Sequence, residues 1–246
     1  MYNCYLFDLY GTLVDIHTDE EKEELWERLS MFYGYYGALY TPEELRQSYL
    51  LEVDQRQKQA RCTQKISHEA NPEIELEYVF QALFNKKGVQ ADLAQSIYAA
   101  QVFRVISTQY IQLYDGVKEL LEALRSKGKA IYLLSNAQNI FTRYELRYLG
   151  IEHLFDDIFI SSQYGCKKPD SSFYMKPIEK YKIKPQESIM IGNDYKCDIL
   201  GAKGVGLDTF YIHSNLSPDL EQEVESTYFL QEMDLRRVKE ILIQND

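Results

Sequence analysis

The stretch Tyr5-Leu6-Phe7-Asp8-Leu9-Tyr10-Gly11-Thr12-Leu13-Val14-Asp15 decides how the rest of the chain is read. Tyr2 to Phe7 is a short apolar, aromatic-rich run, the mark of a buried strand. Asp8 stands where that strand should stop, and Gly11 permits a tight turn away from it. In an open α/β sheet, a carboxylate just past the carboxyl end of a strand faces the crevice where such sheets bind ligands. A capping or turn Asp would look the same in this one segment. The reading therefore depends on whether other strand ends carry comparable groups.

From Leu113 onward, helix and strand patterns alternate. Leu120, Leu121 and Leu124 belong to a helix closed by Lys127-Gly128, and Ala130 to Leu134 is a strand ending at Ser135-Asn136. Phe141 to Leu149 is helical and stopped by Gly150; Asp157 to Ser161 is the next strand. Ser171 to Tyr181 reads as a helix in which Pro177 predicts a kink or a split. Ser188 to Ile191 is a strand ending at Gly192-Asn193-Asp194. A short helix from Asp198 to Gly204, a strand from Leu207 to Ile212 and a helix from Met233 to Gln244 complete the pattern. Strands separated by helices imply right-handed crossovers and a parallel sheet covered on both faces. Asp8, Ser135, Asn136, Lys168, Asn193, Asp194 and Asp198 then fall just beyond strand ends, along one edge. Each alone is explained by a helix cap or a solvated turn. Capping does not explain their joint placement.

Between the first strand and Leu113 the pattern is helical. Thr18 with Glu21 reads as a capping box ahead of Leu25, Leu29, Phe32 and Tyr33. Thr41-Pro42-Glu43-Glu44 is a second start signal, followed by the stripe Leu45, Tyr49, Val53. Asn71-Pro72 opens a third helix with Leu76, Val79, Phe80, Leu83 and Phe84, closed by Lys86-Lys87-Gly88; a fourth runs from about Asp92 to Tyr110. A helical run of this length, directly after one strand, reads as an inserted domain. The expected fold is a doubly wound α/β core, residues 1–14 and 114–246, with an all-helical cap over residues 15–113.

Composition narrows the function classes. At 246 residues and 45% hydrophobic, the chain suffices for a large core plus a smaller domain. No apolar run is long enough to cross a bilayer, and the start lacks a basic region followed by a hydrophobic stretch, so a cytoplasmic location is the expectation. The cysteines (Cys4, Cys62, Cys166, Cys197) are widely spaced and expected to be reduced. A net charge of −11 disfavours nucleic acid and anionic membrane as partners. An anionic small-molecule substrate would need locally concentrated positive charge. The histidines His17, His68, His153 and His213 lack ligand spacing, and Phe32-Tyr33-Gly34-Tyr35-Tyr36 reads as packing. Nothing here sets an oligomeric state.

The four strand-end segments resemble the four motifs of the haloacid dehalogenase superfamily, and the helical insert resembles that family's helical cap. Asp8 with Gly11-Thr12-Leu13 is similar to motif one, whose Asp is the nucleophile. Ser135 in Leu133-Leu134-Ser135-Asn136 is similar to motif two, which hydrogen-bonds the transferred group. Lys168-Pro169-Asp170 is similar to motif three, whose Lys steadies the nucleophile. Gly192-Asn193-Asp194 through Asp198-Ile199-Leu200-Gly201-Ala202 is similar to motif four, which holds magnesium in the phosphatases. The resemblance implies catalytic roles for Asp8, Thr12, Ser135 and Lys168, and substrate contacts from Tyr10, Ser135, Asn136 and Lys168. It also implies a Mg²⁺ site from Asp8, the Tyr10 carbonyl, Asp194 and Asp198. A carboxylate nucleophile splits one hard step into two easier ones, and a cation with Lys168 offsets charge on an anionic substrate.

Two departures bear on chemistry. Most phosphatases of the family carry a second Asp two residues after the nucleophile, as general acid and base; here that residue is Tyr10. Losing a positioned acid costs on the order of 10²–10⁴ in rate, felt least by a leaving group that departs as a stable anion. The family's 2-haloacid dehalogenases carry Tyr at this place. Motif four points the other way, since those metal-free enzymes are mostly neutral where this chain has Asp194 and Asp198. The usual phosphatase acid aligns with Asn193 if Asp198 is held fixed, so either Asp194 replaces it or the metal site is weaker. Arg46, Arg56 and Arg61 are candidates for binding a substrate carboxylate, although a solvated helix face explains each. The leading expectation is a Mg²⁺-dependent phosphatase on a small phosphorylated metabolite. The alternatives are a 2-haloacid dehalogenase and a catalytically weak ligand-binding member. The cap is expected to hinge at Val14 to Thr18 and Gln109 to Asp115.

Overall fold

The strands that carry the motifs lie side by side. In a computed structural model, residues 2–63 (side chains to 60), 73–220 and 222–243 are described. Readings on the side chains of Arg61 and Cys62, on His68, on Asn71-Pro72 and on Gln244 lie outside the described residues. In chain order the elements are β1 (Cys4–Phe7), β2 (Val14–Thr18), α1 (Glu23–Tyr35), α2 (Pro42–Thr63), α3 (Leu76–Lys86), α4 (Leu93–Ser107) and β3 (Thr108–Leu113). There follow α5 (Val117–Ser126), β4 (Ala130–Ser135), α6 (Asn139–Tyr148), β5 (Asp157–Ile160), α7 (Ser171–Tyr181) and β6 (Ser188–Gly192). A π-helical turn, Tyr195–Leu200, leads into α8 (Gly201–Gly204), then β7 (Asp208–Ile212), β8 (Tyr228–Leu230) and α9 (Leu235–Ile243).

Six strands form one sheet in the order β5-β4-β1-β6-β7-β8, every pair parallel. Side chains alternate across it as a two-residue period requires. Tyr5, Phe7, Ile131, Leu133, Ile189, Ile191, Phe210 and Ile212 enter one apolar cluster, and Cys4, Leu6, Tyr132, Leu134 and Met190 enter the other. Strand order reverses at β1, which pairs with β4 on one side and β6 on the other. That reversal is the switch point at which open α/β sheets place their ligands. No helix among the described residues is long and apolar enough to cross a membrane.

The stretch read as wholly helical contains two strands. β2 and β3 pair antiparallel as a ribbon at the base of the insert, with Asp15 opposite Gln112 and Ile16 opposite Ile111. Thr18 is drawn into that ribbon opposite Thr108, so it does not cap α1, whose N-cap is Lys22 without a side-chain bond. α4 likewise ends at Ser107, three residues early, where the Thr108 hydroxyl donates to Arg104 O at 2.7 Å. The other cap signals hold: Glu44 N donates to Thr41 Oγ1 at 3.2 Å, and Asp92 with Gln95 closes a capping box. α1 to α4 share an apolar cluster of their own, to which Ile140 and Phe141 of α6 belong. Ahead of α3, Gln138 donates to Ile74 O at 2.9 Å and Ser161 Oγ to Glu73 at 3.1 Å, tying the insert to the sheet side. α7 runs unbroken through Pro177, which is buried with Phe173, Tyr174 and Ile178. The predicted split does not occur, because packing on the apolar face offsets the missing amide bond.

Candidate active site

β1, β4 and β6 end level with one another: Phe7 is opposite Leu133 and Ile191. The next residue of the first chain segment is Asp8, whose amide donates to Ile191 O at 2.9 Å. Ser135 is the last residue of β4, and Asn193 follows β6. Lys168 arrives from the connection between β5 and α7. Its main chain is bracketed by the Asn136 amide, which accepts from Lys168 N at 2.8 Å and donates to Lys168 O at 2.9 Å. Asn136 thus spends both side-chain polar atoms on fixing Lys168.

The ammonium of Lys168 is buried and reaches Asp8 Oδ1 at 2.6 Å and Asp198 Oδ1 at 2.7 Å. Burial alone would pull its pKa down, but the adjoining Asp198 and Asp8 carboxylates more than offset this and raise it. Asp198 accepts twice more at Oδ2, from Asn193 N at 3.1 Å and Asp194 N at 3.0 Å. Burial pushes its pKa up to about 7 against the pull of Lys168. Thr12 Oγ1 lies 3.3 Å from Asp8 Oδ2 and 3.2 Å from Asn193 Oδ1, so its one proton can serve either. Asp194 accepts from Cys197 N at 2.8 Å and caps the π-helical turn. Burial and the neighbouring acids hold the Cys197 thiol well above its usual range.

Two glycines make this packing possible. Gly11 has φ +83°, and a Cβ there would sit 2.2 Å from Asn193 Nδ2. A Cβ on Gly192 would come within 2.3 Å of Asp198 Oδ2. The motif glycines are thus contact surfaces for the motif-four side chains Asn193 and Asp198.

A cavity of about 170 Å³ is lined by Asp8, Tyr10, Ser135, Asn136, Lys168, Asn193, Asp194, Cys197, Asp198, Leu216 and Pro218. Of the motif residues picked out by sequence, Thr12 is absent from this wall and touches Asp8 instead, and the candidates Arg46 and Arg56 are absent from it as well. The Ser135 hydroxyl is buried without a protein partner. Three carboxylates face one ammonium, an excess of negative charge in an oxygen-rich wall.

Tyr10 lines the cavity with its ring but turns its hydroxyl away. The hydroxyl donates to Glu145 on α6 in a short bond and lies 3.0 Å from Thr142 Oγ1. Arg104 of α4 closes the group, donating to Glu145 at 2.6 Å and stacking over Phe141 and Tyr10. Burial and the Glu145 charge raise the Tyr10 pKa far above the phenol range. No sequence signal joined residues 10, 104 and 145. An Arg inside the apolar run Val102-Phe103-Arg104-Val105-Ile106, one turn from the end of the last helix of the insert, is the feature that could have been noticed. Arg46 is half-buried and paired with Glu21, and Arg56 with Glu52.

The profile of the haloacid dehalogenase-like hydrolases matches residues 2–206. The chain is 32% identical over 121 residues to the glyceraldehyde 3-phosphate phosphatase of Methanothermobacter thermautotrophicus, covering 48% of this chain and 54% of that one. It is 28% identical over 115 residues to the ribulose-1,5-bisphosphate 5-phosphatase of Halopiger xanaduensis, covering 47% and 48%. These alignments span about half the length of the relatives. In fold, the chain superposes on a 2-haloacid dehalogenase from Pseudomonas syringae with TM-score 0.67 at 16% identity, over 100% of both chains. It superposes on an HAD phosphatase from Thermococcus onnurineus with TM-score 0.59 at 20% identity, over 98% of both. The profile match takes in Asp8, Ser135, Lys168 and Asp198 in their motif order on a parallel sheet that converges at β1. The chain belongs to the haloacid dehalogenase-like hydrolases.

Proposed function

We propose that this hydrolase is a Mg²⁺-dependent phosphatase that acts on a small phosphorylated metabolite through an aspartyl-phosphate on Asp8. The observation that carries the reading is the Ser135 hydroxyl, buried and unpartnered in a cavity wall that also holds the Asp8–Lys168 pair. An anion's oxygens would supply the missing partner. An Asp8 carboxylate oxygen attacks phosphorus, the bond from phosphorus to the leaving oxygen breaks, and water then hydrolyses the acyl phosphate to return Asp8 and release phosphate. Lys168 neutralises charge at the nucleophile, and Asp198 with Asn136 keeps Lys168 in place.

The donor set suits a hard divalent cation: the Asp8 and Asp194 carboxylates and the Tyr10 carbonyl would hold it, with Asp198 behind them. Among the described residues no three acidic, imidazole or thiol side chains form a ready metal cage. Such an ion would therefore keep waters, as magnesium usually does. When bound, it supplies positive charge to the phosphoryl oxygens.

The Tyr10 hydroxyl is committed to Glu145, so this position protonates no leaving group. Substrates whose leaving group departs as a stable anion, acyl phosphates above all, are favoured. The same residue favours the second reading, hydrolytic dehalogenation, in which Asp8 attacks carbon and halide leaves. Against it stand the acids of motif four and the pairing of the candidate arginines Arg46 and Arg56 with Glu21 and Glu52. Phosphate release from acetyl phosphate and p-nitrophenyl phosphate, with and without Mg²⁺ and with Asp8→Asn as control, tests the proposal. Turnover that needs Mg²⁺ and Asp8 supports it. Metal-independent turnover, or halide release from 2-chloropropionate, overturns it, and phosphate-ester binding without turnover marks a ligand-binding member.

A further inference from the structure

One side of the catalytic cavity is not built by the four motifs. Leu216, half-buried, and Pro218, exposed, form part of its wall, and both lie beyond residue 206, where the family match ends. They belong to the connection between β7 and β8. Ser214 N donates to Ser217 Oγ at 2.9 Å and makes this segment a tight turn. Asn193 Nδ2 reaches the hydroxyls of Ser214 and Ser217 at 3.4 Å each. Asn215 faces the other way. Its Nδ2 donates to Asp15 of β2 at 2.9 Å, and the Tyr114 hydroxyl, just past β3, donates to its Oδ1 at 2.5 Å. The turn is therefore pinned between Asn193 and both strands of the ribbon.

The cavity these residues line is small. Its volume of about 170 Å³ falls below the roughly 300–1,000 Å³ typical of pockets for drug-sized ligands. A phosphoryl group occupies most of that space. Apart from Tyr10 and Cys197, the remaining wall is polar or charged. Leu216 and Pro218 offer no side-chain hydrogen bond, so they act by shape and apolarity. No residue of the helical insert is among the cavity's lining.

We propose that Leu216 and Pro218 are specificity residues of this site, an apolar stop that restricts it to phosphates carried on short, acyl-sized or small alkyl leaving groups. Asn215 is the positioning residue that sets where the stop stands. The inference rests on the phosphatase reading and deepens it by naming the substrate class and the part of the chain that selects it.

Acetyl phosphate and p-nitrophenyl phosphate test it: acetate is the better leaving group as well as the smaller, so the shift of their kcat/KM ratio between variants, and not the ratio in wild type, reads bulk. Wild type should favour acetyl phosphate in kcat/KM. Leu216→Gly should move the ratio toward the bulky substrate roughly tenfold, the scale on which an apolar pocket discriminates by size, with the change in KM. Leu216→Phe should move it the opposite way, and Asn215→Ala should act like Leu216→Gly by a smaller factor. A ratio unmoved in both Leu216 variants, with circular dichroism showing them folded, overturns the stop and leaves the phosphatase reading standing. A wild type that turns over neither substrate overturns the phosphatase reading itself, and the stop falls with it.

Discussion

The turn after β1 feeds two charge clusters that differ in kind, the first buried and the second half-buried. Asp8 joins Lys168 and Asp198; two residues on, Tyr10 joins Glu145 and Arg104. In the first, two carboxylates share one ammonium, a third acid faces the same cavity, and the Ser135 hydroxyl is left without a partner. In the second, one guanidinium meets one carboxylate, a phenol and a threonine hydroxyl complete the group, and the cluster joins α4 of the insert to α6 of the core. A cluster with unspent donors and excess charge is prepared for something that is not protein. A closed, neutral cluster fixes one part of the chain against another.

Removing the cation of the first cluster should have the largest effect. Lys168→Met leaves Asp8 and Asp198 facing each other with their counter-charge gone, which costs about 3–5 kcal/mol when a buried pair loses one partner. Urea unfolding should show that loss, and phosphate release should fall on the order of 10²–10³ with loss of charge stabilisation at the reacting group. A variant as stable as wild type would mean that Lys168 is not what holds the two acids together.

The second cluster should respond in stability and spare the chemistry. Arg104→Met leaves the half-buried Glu145 without its cation, expected to cost about 2–3 kcal/mol because the pair keeps some solvent contact. Adding Glu145→Gln should restore more than half of that, the non-additivity of directly contacting residues. Turnover of acetyl phosphate by the double variant should stay close to wild type. Additive losses would show that the two residues do not act as a pair.

Tyr10→Phe probes the boundary between the clusters. Loss of one hydroxyl bond costs about 1 kcal/mol, and the hydroxyl points away from Asp8, so kcat/KM should change little. A fall of 10² or more, the effect of losing a general acid or base, would place that hydroxyl at the reacting group and erase the contrast.

The two clusters also differ in how far sequence discloses them. Asp8, Ser135, Lys168 and Asp198 were legible because each sits at the end of a strand or just beyond, and parallel topology brings those ends to one edge. Asp194 beside Asn193 was legible as a pair, and the structure assigns them separate work: Asn193 packs against Gly11 and the 214–217 turn, while Asp194 caps the turn after it. Tyr10 could be named as an anomaly, but its partners at 104 and 145 come from elements that only tertiary packing brings together. The β2–β3 ribbon was missed for a related reason. Its strands are short, half exposed and polar, and Thr18 with Glu21 imitates a cap when Thr108 is not in view. β8 is three residues long and gave no periodic signal at all. Leu216 and Pro218 carry no motif; their role follows from the cavity they line.

A third buried acid supplies the control that both clusters lack. Glu77, in the first turn of α3, has Oε2 buried without a partner, and no cation pairs with it among the described contacts. Burial is the chief cause of its raised pKa, against the pull of its own backbone amide. An acid whose pKa is higher folded than unfolded binds protons more tightly when folded. Its contribution therefore favours the fold in acid and turns unfavourable as pH climbs past the unfolded carboxyl value near 4.3. Glu77→Gln removes that titration while keeping the shape. Thermal unfolding should show the variant more stable than wild type at pH 8, by about 2–4 °C per kcal/mol recovered in a chain of this size, with the gain shrinking toward pH 4. If the gain is the same at both pH values, relief of charge is not its source. If the variant is less stable at pH 8, Glu77 has a donor that makes it a member of a third cluster, and the division between spent and unspent charge has to be redrawn.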